Sequence, residues 1–150
     1  MTIPTLAPDF SEFLKLLNST GVEYLVIGGY AVGIHGYVRA TGDLDIWIRI
    51  SPSSAASTVQ ALREFGFATP DLNDRLFLEK GNVIRMGVPP MRLELLTSIT
   101  GVDFDDCYRE RMLVKIGDLT VPVISLDRLR QNKRAAGRAK DLADLENLPE

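Results

Sequence analysis

The chain has one cysteine, Cys107, and one histidine, His35. A lone cysteine excludes an internal disulfide framework and a cysteine zinc site. A lone histidine argues against a histidine-based metal centre and against a Ser-His-Asp relay. His35 itself reads as a packing or local hydrogen-bonding residue before a ligand. No apolar run is long enough to span a bilayer, and no secretory leader opens the sequence. The expected compartment is therefore the cytoplasm. Charge of one sign is also scarce. The formal net charge is −3, which by itself announces neither a nucleic-acid partner nor a membrane surface. Repeats, low-complexity tracts and linkers are missing too. With 45% hydrophobic residues, the chain can bury a proper core, so residues 1–150 are read as one domain.

What is present is concentrated between residues 25 and 50, LVIGGYAVGIHGYVRATGDLDIWIRI. The apolar run Leu25-Val26-Ile27 ends in Gly28-Gly29. The stretch from Asp43 to Arg49 alternates, with Leu44, Ile46 and Ile48 on one side and Asp43, Asp45, Trp47 and Arg49 on the other. Two carboxylates thus share a strand face with Cα atoms roughly 6.5–7 Å apart. Left unpaired, they repel; a divalent cation between them relieves the repulsion. A strand that ends in Gly-Gly and turns into a helix offers bare N–H groups to an anion. Gly-Gly alone is usually a tight turn, and DxD alone is usually a solvated strand face. Their pairing on successive apolar strands is far more specific.

The remaining pattern supplies elements around that centre. Pro8-Asp9 opens a helix with Phe10, Phe13, Leu14 and Leu17 on one stripe, ended by Gly21. Tyr24–Ile27 is the first strand, and Tyr30 to Gly36 a short helix with Ala31 and Ile34 inward. Ser51-Pro52 starts a helix with Ala56, Val59, Leu62 and Phe65 on one face, ended by Gly66. Residues 70–82 are ambiguous. Val83–Val88 reads as a strand broken by Pro89-Pro90. Met91 to Thr97 is another strand, on which Arg92 and Glu94 share a face. Glu94 is either an ordinary ion-pair partner or a third carboxylate; the DxD upstream favours the latter. Residues 103–111 form a helical turn, with Asp103, Asp105 and Asp106 at its solvated N-terminal end. A hairpin turns at Gly117-Asp118, and Ser125 caps a last helical region rich in basic side chains.

Gly28-Gly29 followed by Asp43-Leu44-Asp45-Ile46 resembles the signature of the nucleotidyltransferase superfamily, the fold of DNA polymerase beta. The likeness runs from about Tyr24 to Leu148. It extends to small bacterial nucleotidyltransferase-like proteins, including the catalytic part of the toxin in abortive-infection toxin–antitoxin systems. The resemblance implies an α/β (α+β) fold: a mixed sheet, helices mainly on one face, a catalytic core over about 24–100 and a C-terminal helical segment over 125–148. It implies that Gly28 and Gly29 cradle an NTP, and that Asp43, Asp45 and Glu94 bind one or two Mg²⁺ (or Mn²⁺) ions. The family usually has Asp where this chain has Glu94. Lys133 and the run Arg138-Ala139-Lys140-Asp141 look like the family's C-terminal lysine and R-x-K-D-x-x-D motif. Such a lysine reaches triphosphate oxygens and serves the nucleotide, not the fold, while Asp141 and Asp144 hold basic side chains in place. Arg39 is a triphosphate contact or a surface arginine. Trp47 is a base support or a core-edge residue.

The expected activity is transfer of a nucleoside monophosphate to an acceptor hydroxyl. The acceptor is RNA such as a tRNA end, a protein hydroxyl or a small molecule. A second protomer or an antitoxin partner could complete the cleft. The competing expectation is a catalytically silent nucleotide-binding module, or a toxin–antitoxin regulatory partner, of the same fold.

Overall fold

The computed structural model describes residues 6–88 and 91–149; the expected Pro89-Pro90 break lies outside the described residues. Helix α1 (Pro8–Ser19) leads into strand β1 (Tyr24–Ile27), helix α2 (Gly28–Ile34) and strand β2 (Asp43–Ile48). Helix α3 (Pro52–Phe65), a 3-10 turn (Asp74–Phe77) and strands β3 (Val83–Val88) and β4 (Met91–Leu96) follow. Helix α4 (Phe104–Arg109), strands β5 (Met112–Ile116) and β6 (Leu119–Val123), and helices α5 (Leu126–Ala136) and α6 (Ala139–Asn147) complete the chain.

The strands form one six-stranded sheet in the order β3-β4-β2-β1-β6-β5. β2 runs parallel to β4 and β1 parallel to β6, while the other neighbours are antiparallel. The sheet is therefore mixed, as expected. β1 and β2 lie at its centre, and every residue of β1 is buried.

Alternation along the strands sorts the two faces. Leu44, Ile46 and Ile48 are fully buried, and register places Leu93 beside Leu44 and Leu95 beside Ile46. Burying each such side chain is worth about 1.5–3 kcal/mol. The two longest helices cover this face. A small hollow bounded by Asp9 and Phe10 of α1, Phe65 of α3, Met86 and Leu93 marks where they meet it. The expected stripe of α1 is the buried one: Phe10, Phe13, Leu14 and Leu17. On the opposite face, Phe104 of α4 packs edge-on against Trp47 at 5.0 Å between ring centroids.

Two expectations are corrected in detail, and two open stretches are resolved. α2 begins at Gly28 rather than Tyr30, because the glycine's positive φ of 66° lets the chain turn straight from strand into helix. α3 is rotated by about one residue: Ala55, Val59 and Leu62 face inward, Ala56 is exposed and Phe65 is half-buried. The ambiguous stretch 70–82 holds the 3-10 turn, anchored by the fully buried Phe77. The last helical region is two helices, because Gly137 (φ +64°) ends α5 in a left-handed cap. Ser125 caps α5 as expected, its hydroxyl accepting from the Arg128 amide at 3.3 Å. Among the described residues no helix is long and apolar enough to cross a membrane.

Candidate active site

Strand register assembles the carboxylates. Asp43 and Asp45 project from the same face of β2 because they are two residues apart. The parallel pairing with β4 places Arg92 beside Asp43 and Glu94 beside Asp45. The antiparallel pairing with β1 places Ile27 beside Asp45, so the Gly28-Gly29 turn opens directly over it. A Cβ on Gly28 would stand 2.1 Å from Asp45 Oδ2, and one on Gly29 would stand 2.8 Å from Thr41 Oγ1. Side chains lie directly beneath both glycines and would have to shift to admit a Cβ.

Glycines and carboxylates open onto a cleft of about 480 Å³. Gly28, Gly29, Arg39, Asp43, Asp45, Glu94 and Lys133 all line it, so every residue singled out from the sequence for the site borders one space. Lys140, Ser98, Thr100 and Asn132 complete its polar wall.

The electrostatics of the carboxylates are uneven. Burial pushes the Asp45 carboxyl up to about 7, reinforced by the charges of the neighbouring Glu94 and of Asp43. The Lys140 charge opposes this. Asp45 Oδ1 is buried and has no hydrogen-bond partner. Asp43, by contrast, is taken by Arg92, with Nη2 3.1 Å from its Oδ2. Glu94 meets Arg85 Nε at 3.0 Å and Arg92 Nη2 at 3.5 Å.

Hard carboxylate oxygens suit Mg²⁺ or Mn²⁺. The orphaned Oδ1 of Asp45, next to Glu94 and under a glycine, is what a cation between these two groups would satisfy. Among the described residues no three His, Cys, Asp or Glu side chains stand close enough together to hold one ion. The Asp43 carboxylate is turned to Arg92, accepting from its Nη2.

The C-terminal helices close the cleft with an ion-pair network. Lys133 Nζ lies 3.2 Å from Asp141 Oδ1 and 3.1 Å from Asp144 Oδ2, and all three side chains are buried. Arg39 grips Asp144 with two bonds, Nε to Oδ1 at 2.8 Å and Nη2 to Oδ2 at 3.0 Å. Arg138 donates from Nε to Asp141 Oδ2 at 2.7 Å and from its backbone amide at 3.1 Å. Burial alone would raise the carboxyl groups of Asp141 and Asp144. Hydrogen bonds from Arg138 and Lys133 in one case, and from Arg39 and Lys133 in the other, hold them below the ordinary range.

The expectation that Asp141 and Asp144 hold basic side chains matches this network. The expectation that Lys133 serves the nucleotide and not the fold needs correction. Lys133 borders the cleft, but its ammonium ties α5 to α6. Arg39 is likewise a clamp between the loop before β2 and α6. Lys140 was passed over as a site residue. It is exposed, lines the cleft and has no ion-pair partner among the described residues. The sequence marks it only as one cation of the run Arg138-Ala139-Lys140-Asp141.

Two other residues are settled by packing. Trp47 shares the side of Asp43 and Asp45, yet its ring is buried against Phe104 and its Nε1 donates to the Thr97 carbonyl at 3.4 Å. It is a core residue with no free face for a base. His35 is buried, with Nε2 2.7 Å from the Ile124 carbonyl oxygen, in keeping with a hydrogen-bonding role.

No protein-family model and no curated protein matches the chain. Among solved structures, it is similar to a protein of Thermotoga maritima whose own assignment as a nucleotidyltransferase is provisional. The two share 17% identity at a TM-score of 0.63, over 91% of this chain and 88% of that one. The fold is thus a mixed α/β fold of the nucleotidyltransferase-like kind.

Proposed function

We propose that the chain transfers a nucleoside monophosphate from an NTP to an acceptor hydroxyl. One observation carries this reading. Asp45 and Glu94 stand side by side on paired strands, beneath a Gly-Gly turn whose Cα atoms press on the Asp45 and Thr41 side chains, with one buried carboxylate oxygen left unsatisfied. The provisional name of the Thermotoga maritima protein agrees with it.

Each residue then has a task. Asp45 and Glu94 would hold Mg²⁺ or Mn²⁺, with Asp43 kept beside them by Arg92. When bound, the ion would offset the triphosphate charge and ease deprotonation of the acceptor hydroxyl. Gly28 and Gly29 let the phosphates approach the backbone without meeting a Cβ. Lys140 would neutralise phosphate oxygens from the open side. Glu94, beside the ion, would take the acceptor's proton. Arg39 and Lys133 would set the wall of the cleft through Asp144 and Asp141.

For the acceptor we favour an RNA end. Arg134, Arg138 and Lys140 are exposed along the rim formed by α5 and α6, where a polyanion would find cations.

The test is transfer of label from each of the four α-labelled NTPs, with Mg²⁺, into total RNA. Label in RNA that Asp45→Asn abolishes is the expected result. A second reading has its own observation. Arg85 and Arg92 already pair with Glu94 and Asp43, as they would in a silent nucleotide-binding module. NTP binding without label transfer to RNA, protein or small molecules would favour that reading.

A further inference from the structure

We propose that this site takes one divalent cation, not two, and that the guanidinium of Arg92 supplies the positive charge where a second ion would stand. The inference rests on the nucleotidyltransferase reading above.

The placement of Arg92 follows from the strands themselves. Arg92 and Glu94 are two residues apart on β4, so both point to the face that carries Asp43 and Asp45. Register seats Arg92 next to Asp43 and Glu94 next to Asp45. Arg92 Nη2 bridges the two acids, 3.1 Å from Asp43 Oδ2 and 3.5 Å from Glu94 Oε1. Its Nε is buried without a hydrogen-bond partner, and the side chain as a whole is half-buried.

An ion shared by Asp43 and Glu94 would need carboxylate oxygens at about 2.0–2.1 Å for Mg²⁺. That is the ground Nη2 already holds, and a cation placed there would press against a guanidinium that cannot deprotonate. Asp45 is different. Its Oδ1 has no partner, and neither Arg85 nor Arg92 forms an ion pair with it among the described residues. One ion fits at Asp45, bordered by Glu94 and completed by the nucleotide's own oxygens.

The experiment counts Mn²⁺ on the full chain at saturating non-hydrolysable NTP, by paramagnetic resonance of the free ion. Wild type should bind one Mn²⁺ and show no Mn²⁺–Mn²⁺ coupling. Arg92→Gln should bind two, with coupling visible, and Arg92→Lys, which keeps the charge, should stay at one. Arg92→Met takes the place of Arg92→Gln if that variant does not fold. Two Mn²⁺ ions on wild type would overturn the proposal and leave the nucleotidyltransferase reading standing. A count that stays at one in both Arg92→Gln and Arg92→Met would also overturn it. No Mn²⁺ and no nucleotide on wild type would overturn both.

Discussion

Gly28 and Asp45 are packed so closely that a Cβ on the glycine would stand 2.1 Å from Asp45 Oδ2. This contact ties the Gly28-Gly29 turn to the carboxylate strand. It also gives the first prediction. Gly28→Ala introduces that Cβ at a φ of +66°, a conformation that costs about 1–3 kcal/mol for a residue with a side chain. Asp45 must also swing away. Urea unfolding should show a loss of at least that size, and NTP binding should fall with it. Unchanged stability and unchanged binding would mean that the turn has freedom that its packing denies.

The second prediction concerns pH. Asp45 is raised from 3.8 to about 7 by burial and by Glu94 and Asp43. The folded state therefore holds a proton that the unfolded state releases. Its stabilising effect is complete below about 4 and is lost as pH rises towards 7 and beyond. The span corresponds to about 4 kcal/mol as an upper bound. Thermal unfolding without metal should give a higher midpoint at pH 5 than at pH 8, and Asp45→Asn should flatten the difference. Mg²⁺ should restore stability at pH 8 more than at pH 5, because it replaces the proton.

The third prediction concerns Lys133. It sits between Asp141 and Asp144 with all three side chains buried. Removing one partner of a buried ion pair costs about 3–5 kcal/mol, because the other charge is left unpaired. Lys133→Ala should lose stability of that order in denaturant, with no nucleotide present. The same acids act at the other end of the pH scale. Both are held below the usual carboxylate range, so what they contribute is present at neutral pH and lost as acid protonates them. In Lys133→Ala the acid limb of the stability curve should shrink.

Much of this was legible in the sequence because it rests on short periods. Alternation alone places Asp43 and Asp45 on one face and Leu44 and Ile46 on the other. Glycines at 28, 66 and 117 mark turns that the backbone makes. What was not legible depends on register and burial. The neighbours of Glu94 are decided by which strand lies beside β4, and Arg85 and Arg92 reach it only through that pairing. Lys133 reads as one cation in a basic run until α6 folds back over it. Trp47 reads as available until Phe104 covers its ring. Lys140 was hidden for the opposite reason: nothing distinguishes a free lysine from its neighbours until theirs are seen to be occupied.

That difference in occupancy gives the last prediction. Arg39, Lys133 and Arg138 line the cleft, but each is tied to Asp141 or Asp144. A tied cation must break a bond to meet a phosphate, and the gain is reduced by that loss. Lys140 lines the same cleft, is exposed and is paired with nothing among the described residues. Its ammonium can turn to triphosphate oxygens at the cost of side-chain entropy alone. Lys140→Ala should therefore weaken NTP binding by about 1–3 kcal/mol, the range for hydrogen bonds to charged groups. Affinity for the nucleoside without phosphates should stay as it was, and so should the unfolding midpoint of the free protein. Lys133→Ala should behave in reverse, with stability falling more than affinity in the folded fraction. Calorimetric titration of both variants with a non-hydrolysable NTP, beside their unfolding curves, separates the two roles. If Lys140→Ala binds NTP as wild type does, the phosphates are met by the tied cations, and the network around Asp141 and Asp144 must open when nucleotide binds.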